Sequence, residues 1–284
     1  MGPGLVAYDL TYFALATALY GTAGWATVRV LAMAPAIVPW PFLIVPGGLV
    51  FLLCLIALVG ALTLLCPTLK TGKVRMMKGT FFVWMVRSLL RRILFAPGLK
   101  WFLFTSNTLR FLTLRALGAK VAFTANMSAD VDVLDPSLLE VGPGSVIGAR
   151  SLLSGHYVDG GVLMLGKITI GSKVLIAADV TVGPGAVVGD GATAKVRAAI
   201  GPNAVLGKEA TLGGDGHTLD VSTTVTLGTP ASGAADEGAA GTSSLTSSTT
   251  LYAGQTRLVG TLSGGGDGNS MLLVFLKAAV ATTR

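Results

Sequence analysis

From Val158 onward, every sixth residue is apolar: Val158, Met164, Ile170, Ile176, Val182, Val188, Ala194, Ile200, Leu206 and Leu212. The following position is most often glycine, as at Gly171, Gly183, Gly189, Gly201, Gly207 and Gly213. Four residues after each start stands Val162, Ile168, Val174 or Val180, then Ala186, Ala192, Ala198, Ala204 and Ala210. An unbroken aliphatic–Gly–x–x–small–x repeat predicts a parallel β-helix. Each hexad is one short flat strand and a corner. Its aliphatic and small side chains point inward, and no hexad can bury them alone, so stability comes from stacking on the next coil. The period extends upstream through Ala129, Asp135, Val141 and Ile147, then slips in phase before Val158. Inside the slip lies Ser154-Gly155-His156-Tyr157. A slip in a solenoid is where a loop or a re-aimed side chain leaves the wall. A β-helix domain is expected over 121–213.

The first 120 residues obey different rules. Of 284 residues in all, 52% are hydrophobic and 12% charged, a low charge content for a soluble globule. The net charge is +7, but its distribution matters more. Between Asp9 and Asp130 there is no acidic residue, while Arg29 and eleven further basic residues occur. A basic, acid-free, apolar half points to anionic lipid headgroups rather than nucleic acid. Residues 10–28 are uncharged, and residues 43–66 give 24 uncharged residues, about 36 Å of helix against a hydrocarbon core of about 30 Å. These predict a transmembrane hairpin. Lys70, Lys73, Arg75, Lys78, Arg87, Arg91, Arg92 and Lys100 follow the second span, whereas only Arg29 lies between the two. The positive-inside rule then makes the chain an integral membrane protein with its β-helix on the cytoplasmic side. Residues 80–95 put Arg87 and Arg91 on one helical face among Phe81, Phe82, Trp84 and Leu89, which predicts an interfacial basic amphipathic helix. Residues 214–284 are dominated by Gly, Ser, Thr and Ala without a sustained period, and are expected to be a disordered tail.

Several local motifs dissolve in this frame. Gly142-Pro143-Gly144 and the glycines of 183–189 look like phosphate loops, but the repeat accounts for them and no strand-to-helix step follows. Cys54 and Cys66 sit about 18 Å apart on one helix, too far for a disulfide. Two His and two Cys in the whole chain predict no metal site, and exclude a β-helical carbonic anhydrase with three His per zinc.

The aliphatic–Gly hexapeptide array resembles the left-handed β-helix acyltransferases. Leu114-Arg-Ala-Leu-Gly-Ala-Lys120, Asp135-Pro-Ser-Leu-Leu-Glu-Val-Gly142 and Ser154-Gly-His156 resemble a narrower group. These are the membrane-anchored C-terminal modules of nonribosomal-peptide-synthetase-like enzymes of the poly-lysine synthetase type. The likeness covers roughly residues 43–213. It departs in having one β-helix module, no adenylation or carrier domain within these residues, and Ala194-Lys195-Val196-Arg197 where a glycine corner is usual. The resemblance implies a left-handed coil and a catalytic His projecting from it. It also implies an acyl-CoA or phosphopantetheine-carrier thioester as co-substrate with no bound cofactor, and a homo-oligomer or pairing with a sister module.

Acyl transfer from a thioester needs a base for the proton of a hydroxyl or amine acceptor. His156 in the phase slip is the candidate, rather than His217 beyond the last hexad. Asp159, three residues on, is the candidate to orient its imidazole. Asp135 and Glu140 are candidates to bind an amine acceptor, and Lys173, Lys195 and Arg197 to meet the phosphates of a CoA-type donor. The expected function is a membrane-bound acyl or aminoacyl transferase; the alternative is a noncatalytic β-helical scaffold on a membrane anchor.

Overall fold

A computed structural model describes residues 3–35, 37–76, 79–96 and 98–213, together with the backbone of four later strands given below. The chain opens with two helices, α1 (Pro3–Leu31) and α2 (Ile44–Leu65), the second led in by a 3-10 turn at Trp40–Leu43. They pack through Ala16, Leu19 and Ala23 against Leu55, Ile56 and Val59, and Tyr20 stacks on Phe51 with ring centroids 6.4 Å apart. Among the described residues, one helical segment is long and apolar enough to cross a membrane: Trp40–Leu65, 26 residues with a mean hydropathy of 2.9. The hairpin expected from the sequence is present as a helix pair, but only its second arm meets that measure. Threonine and glycine dilute α1. Thr11, Thr22 and Thr27 return their hydroxyl protons to the carbonyl four residues back.

Helix α3 (Gly79–Leu94) follows the short strand β1 (Gly72–Arg75). Its Leu89, Leu90, Ile93 and Leu94 are buried in the protein, Arg87 and Arg91 are half-buried, and Arg92 is exposed. The Arg87 guanidinium donates to the carbonyls of Cys66 and Pro67, just past the end of α2. Arg91 donates to the Val133 carbonyl at 2.7 Å and to Asp132 at 3.1 Å, and Arg92 to the Tyr8 hydroxyl. In the helix expected to lie at an interface, Arg87 and Arg91 thus hold protein carbonyls. Two further helices, α4 (Leu99–Thr105) and α5 (Asn107–Ala116), lead into the coils. Ser106 caps α5 by accepting from the Leu109 amide, and Ala116 lies against Gly60 of α2. Buried Arg110 donates to the Met127 carbonyl and to the side-chain oxygens of Asn107 and Asn126, tying α5 to the first coil.

The coils are built from three parallel sheets. The first holds β2 (Lys120–Val121), β5 (Leu139–Val141), β10 (Ile168–Ile170), β13 (Val187–Val188) and β16 (Val205–Leu206). The second holds β3 (Asn126–Met127), β6 (Val146–Ile147), β11 (Leu175–Ile176), β14 (Thr193–Ala194) and β17 (Thr211–Leu212). The third holds β4 (Asp132–Val133), β7 (Leu152–Leu153), β12 (Thr181–Val182) and β15 (Ala199–Ile200). Inward residues stack in file: Val121, Val141, Ile170, Val188 and Leu206 line the first wall. A coil is 18 residues, as from Ile170 to Val188 and from Val188 to Leu206. Two steps are longer. Val121 to Val141 takes 20 residues and Val141 to Ile170 takes 29.

The longer of these two steps corrects the sequence reading of the period. Val158 and Met164 keep six-residue step with Ile170 but are not wall residues. They belong to an antiparallel hairpin of β8 (His156–Asp159) and β9 (Val162–Leu165), extended by β1 on the β9 side. Gly160 and Gly161 both have positive φ, 52° and 75°, as a tight two-residue hairpin turn requires. The phase also shifts earlier, between Val133 and Val141, so Ala129 and Asp135, in step with Val141 by sequence, are not wall residues, and Met127 and Val133 take the inward places. From Val141 it runs unbroken through Leu153, and the longer insertion follows. Beyond the coils, backbone strands are described at β18 (Thr218–Gly228), β19 (Thr242–Tyr252), β20 (Thr256–Ser263) and β21 (Met271–Lys277). The expectation of a disordered tail differs from the structure at these strands and otherwise falls outside the described residues. Threonine and valine, frequent in β18, favour extended backbone.

Candidate active site

Both long steps occur at the same corner, where the chain passes from the third sheet to the first. The shorter insertion follows β4 as Leu134, Asp135 and a 3-10 turn at Pro136–Leu138. The longer follows β7 as the β8–β9 hairpin, closed at its base by the Gly166 amide donating to the Gly155 carbonyl. The two insertions stack on each other. A Cβ at Gly155 would lie 3.0 Å from the Asp135 Cβ and 3.1 Å from Leu138, so glycine permits the approach. That approach sets His156 Nδ1 2.6 Å from Asp135 Oδ2. The other carboxylate oxygen, Oδ1, accepts from Trp84 Nε1 of α3 at 2.8 Å. The Trp84 ring also meets the imidazole edge-on, with centroids 5.0 Å apart. The Asp135 side chain is 2% exposed and that of His156 23%.

An ionised carboxylate only accepts hydrogen bonds, so His156 Nδ1 must donate. The neutral imidazole then carries its lone pair on Nε2, to which no described residue bonds. A buried carboxylate thus fixes the ring and its tautomer, and the opposite nitrogen is left able to take a proton. Beneath the hairpin, Val74, Leu138, Leu163 and Leu165 pack with Phe81 and Trp84. Its opposite face carries Tyr157 and Met164, the paired residues next to His156 and Leu165. These open onto a groove of about 390 Å³, lined also by Lys73 of β1, Lys167, Gly185 and Asn203.

The residues singled out from the sequence distribute unevenly around this corner. His156 is there. Asp135, read as an acceptor ligand, is the carboxylate against the imidazole. Asp159 is exposed at the far end of β8. Three residues along a strand reverse the side-chain direction, so it lies on the face opposite His156. Glu140 is ion-paired with Lys167 at 2.7 Å and Lys120 at 3.0 Å. Lys173 and Arg197 occupy corner positions with positive φ, 55° and 63°. Lys173 lies between the first and second sheets, whereas Lys195 and Arg197 lie between the second and third. None of the three shares the corner of His156. Trp84 and the lysines of the groove escaped the sequence reading, since nothing in the pattern of α3 marks one aromatic as facing a carboxylate 51 residues away.

Comparison with models of protein families gives no match, and comparison with curated proteins gives none. Among solved structures, the chain is similar to a hexapeptide-repeat acetyltransferase from Vibrio cholerae O1 biovar eltor, complexed with acetyl coenzyme A. Identity is 15%, with 49% of this chain and 86% of that one covered and a TM-score of 0.35. It is similar to a maltose O-acetyltransferase from Clostridium difficile 630 at 15% identity, covering 51% and 89%, with a TM-score of 0.35. A galactoside acetyltransferase in complex with coenzyme A is similar at 20% identity, covering 49% and 81%, with a TM-score of 0.31.

Proposed function

We propose that this chain is a membrane-bound acyltransferase that moves an acyl or aminoacyl group from a CoA or carrier-protein thioester to a hydroxyl or amine, with His156 as general base. The observation that carries the reading is the 2.6 Å contact between His156 Nδ1 and the buried Asp135 carboxylate. In the reaction, Nε2 takes the acceptor's proton as the acceptor oxygen or nitrogen bonds to the thioester carbonyl carbon. The tetrahedral intermediate then expels the thiolate, which recovers that proton from the imidazolium. Asp135 orients the ring and offsets the charge of the imidazolium. The groove beside Tyr157, on the other face of the hairpin from the imidazole, is proposed to hold only the part of the donor remote from the reacting carbonyl, with Lys73 and Lys167 near its anionic groups. The coil is read as left-handed, α2 as the membrane anchor, and the β-helix as cytoplasmic and assembled with further copies or a sister module.

The test is thiol release from acetyl-CoA, offered with a panel of amine and hydroxyl acceptors to the protein in nanodiscs. His156→Ala is expected to lose about 10²–10⁴-fold, the usual contribution of a positioned base. His217→Ala, at a position outside the described residues, is expected to leave the rate unchanged. Retention of more than about a tenth of the rate by His156→Ala removes the base assignment, and absence of thiol release by the wild-type protein with every acceptor favours the noncatalytic scaffold.

A further inference from the structure

We infer that Trp84 is a positioning residue for the His156–Asp135 pair, and that the base is thereby seated by the helix that holds the end of the membrane segment. The inference rests on the reading of His156 as the base. It starts from the Asp135 carboxylate, which at 2% exposure has little access to water. Each of its oxygens takes one donor from the protein: Oδ2 from His156 and Oδ1 from Trp84. A buried carboxylate oxygen left without a donor is strongly unfavourable, so removing the indole N–H favours a rotated carboxylate that no longer faces Nδ1. The edge-on contact of the indole with the imidazole restricts ring rotation as well.

Trp84 is itself steadied by two anchors further along the same helix. One turn on, Arg87 holds the carbonyls of Cys66 and Pro67, where α2 terminates. Two turns on, Arg91 holds the Val133 carbonyl and Asp132, immediately upstream of Asp135. Positions 84, 87 and 91 share one face of α3. That face therefore bridges the end of the apolar helix and the corner where the imidazole sits.

The chain has two histidines, so full-length protein labelled with ¹⁵N-histidine in nanodiscs gives an imidazole spectrum that His156→Ala assigns by subtraction. In its neutral form, the wild-type His156 ring is expected as a single tautomer with its proton on Nδ1. Trp84→Phe keeps an aromatic ring in place and deletes the N–H. It is expected to mix the tautomers, speed Nδ1 proton exchange, and lower kcat for thiol release from acetyl-CoA about tenfold with little change in KM. Phe81→Leu, in the same apolar cluster but without contact to Asp135, is expected to leave the tautomer unchanged. A benzothiophene side chain at position 84, sulfur replacing N–H, is expected to repeat the Trp84→Phe result in an unaltered shape. An unchanged imidazole spectrum and kcat in Trp84→Phe, with His156→Ala inactive, overturns the inference and leaves the proposed function standing. An equal tautomer shift in Phe81→Leu overturns it too, by assigning the effect to packing. Activity in His156→Ala overturns the proposed function, whereas the Trp84→Phe spectrum still decides whether the indole fixes the ring.

Discussion

Lys120, Glu140 and Lys167 link three successive levels of the first sheet: Lys120 is registered with Glu140 across β2 and β5, and Lys167 enters β10 beside it. Lys167 above all holds the Glu140 carboxyl below the usual glutamate range, against the opposing effect of desolvation, and Lys120 adds to the lowering. A carboxylate with a depressed folded value contributes stability above its unfolded pKa and loses it as pH falls through the folded one. Glu140→Gln is therefore expected to cost about 0.5 kcal/mol near neutral pH, the scale of a partly exposed ion pair. The difference from wild type should close below about pH 4. Urea midpoints at the two pH values check this, and an equal deficit at both would make the effect one of packing rather than charge. The same side chain illustrates a limit of sequence reading. Glu140 stood out as a carboxylate in a suggestive stretch, and its engagement by two lysines from the coils above and below is visible only once those coils are stacked.

At the scale of the element, the glycines after the inward aliphatics act by size. A Cβ at Gly189 would lie 2.6 Å from the Lys208 amide nitrogen of the next coil, whereas at Gly207 nothing lies within 4 Å. The two positions are equivalent in the repeat, each closing a strand of the first sheet. Gly189→Ala is expected to destabilise the coils by about 2 kcal/mol and Gly207→Ala by less than about 0.5 kcal/mol. Thermal or urea unfolding of the pair checks the reading, and equal losses would return the cause to backbone conformation. This regularity is why the fold was legible: each coil repeats the contacts of the last, so the constraint is written into the sequence at every sixth residue. The hairpin was masked because Val158 and Met164 happen to keep step with the wall. His156 was legible as the odd residue in the slip. Its partnership with Asp135 was not, because stacking of two insertions at one corner brings together residues 21 apart. Asp159 was favoured by nearness in sequence, and strand alternation turns it away.

On the scale of the whole molecule, apolar surface and coils are joined by α3 and α5, both packed on α2 and both donating arginine protons to the chain beyond. With Cys54 and Cys66 replaced by serine, Val205→Cys offers one exposed thiol on the outer coils. A membrane-impermeant maleimide is expected to label it only after permeabilisation, as a cytoplasmic β-helix requires. Labelling of intact cells would reverse the orientation. The placement of the two irregular steps has a separate consequence. Both the 20-residue and the 29-residue step precede Ile170, and the later first-wall steps are 18. On the proposed reading, the base is thus mounted at the foot of the column, at a height above the lipid set by α2 and α3. On the same reading, turns added to or removed from the far end would change how far the column stands out from the bilayer, and leave that height alone. Reach and reactivity are independent variables in this architecture, free to vary separately in descendants of the same chain.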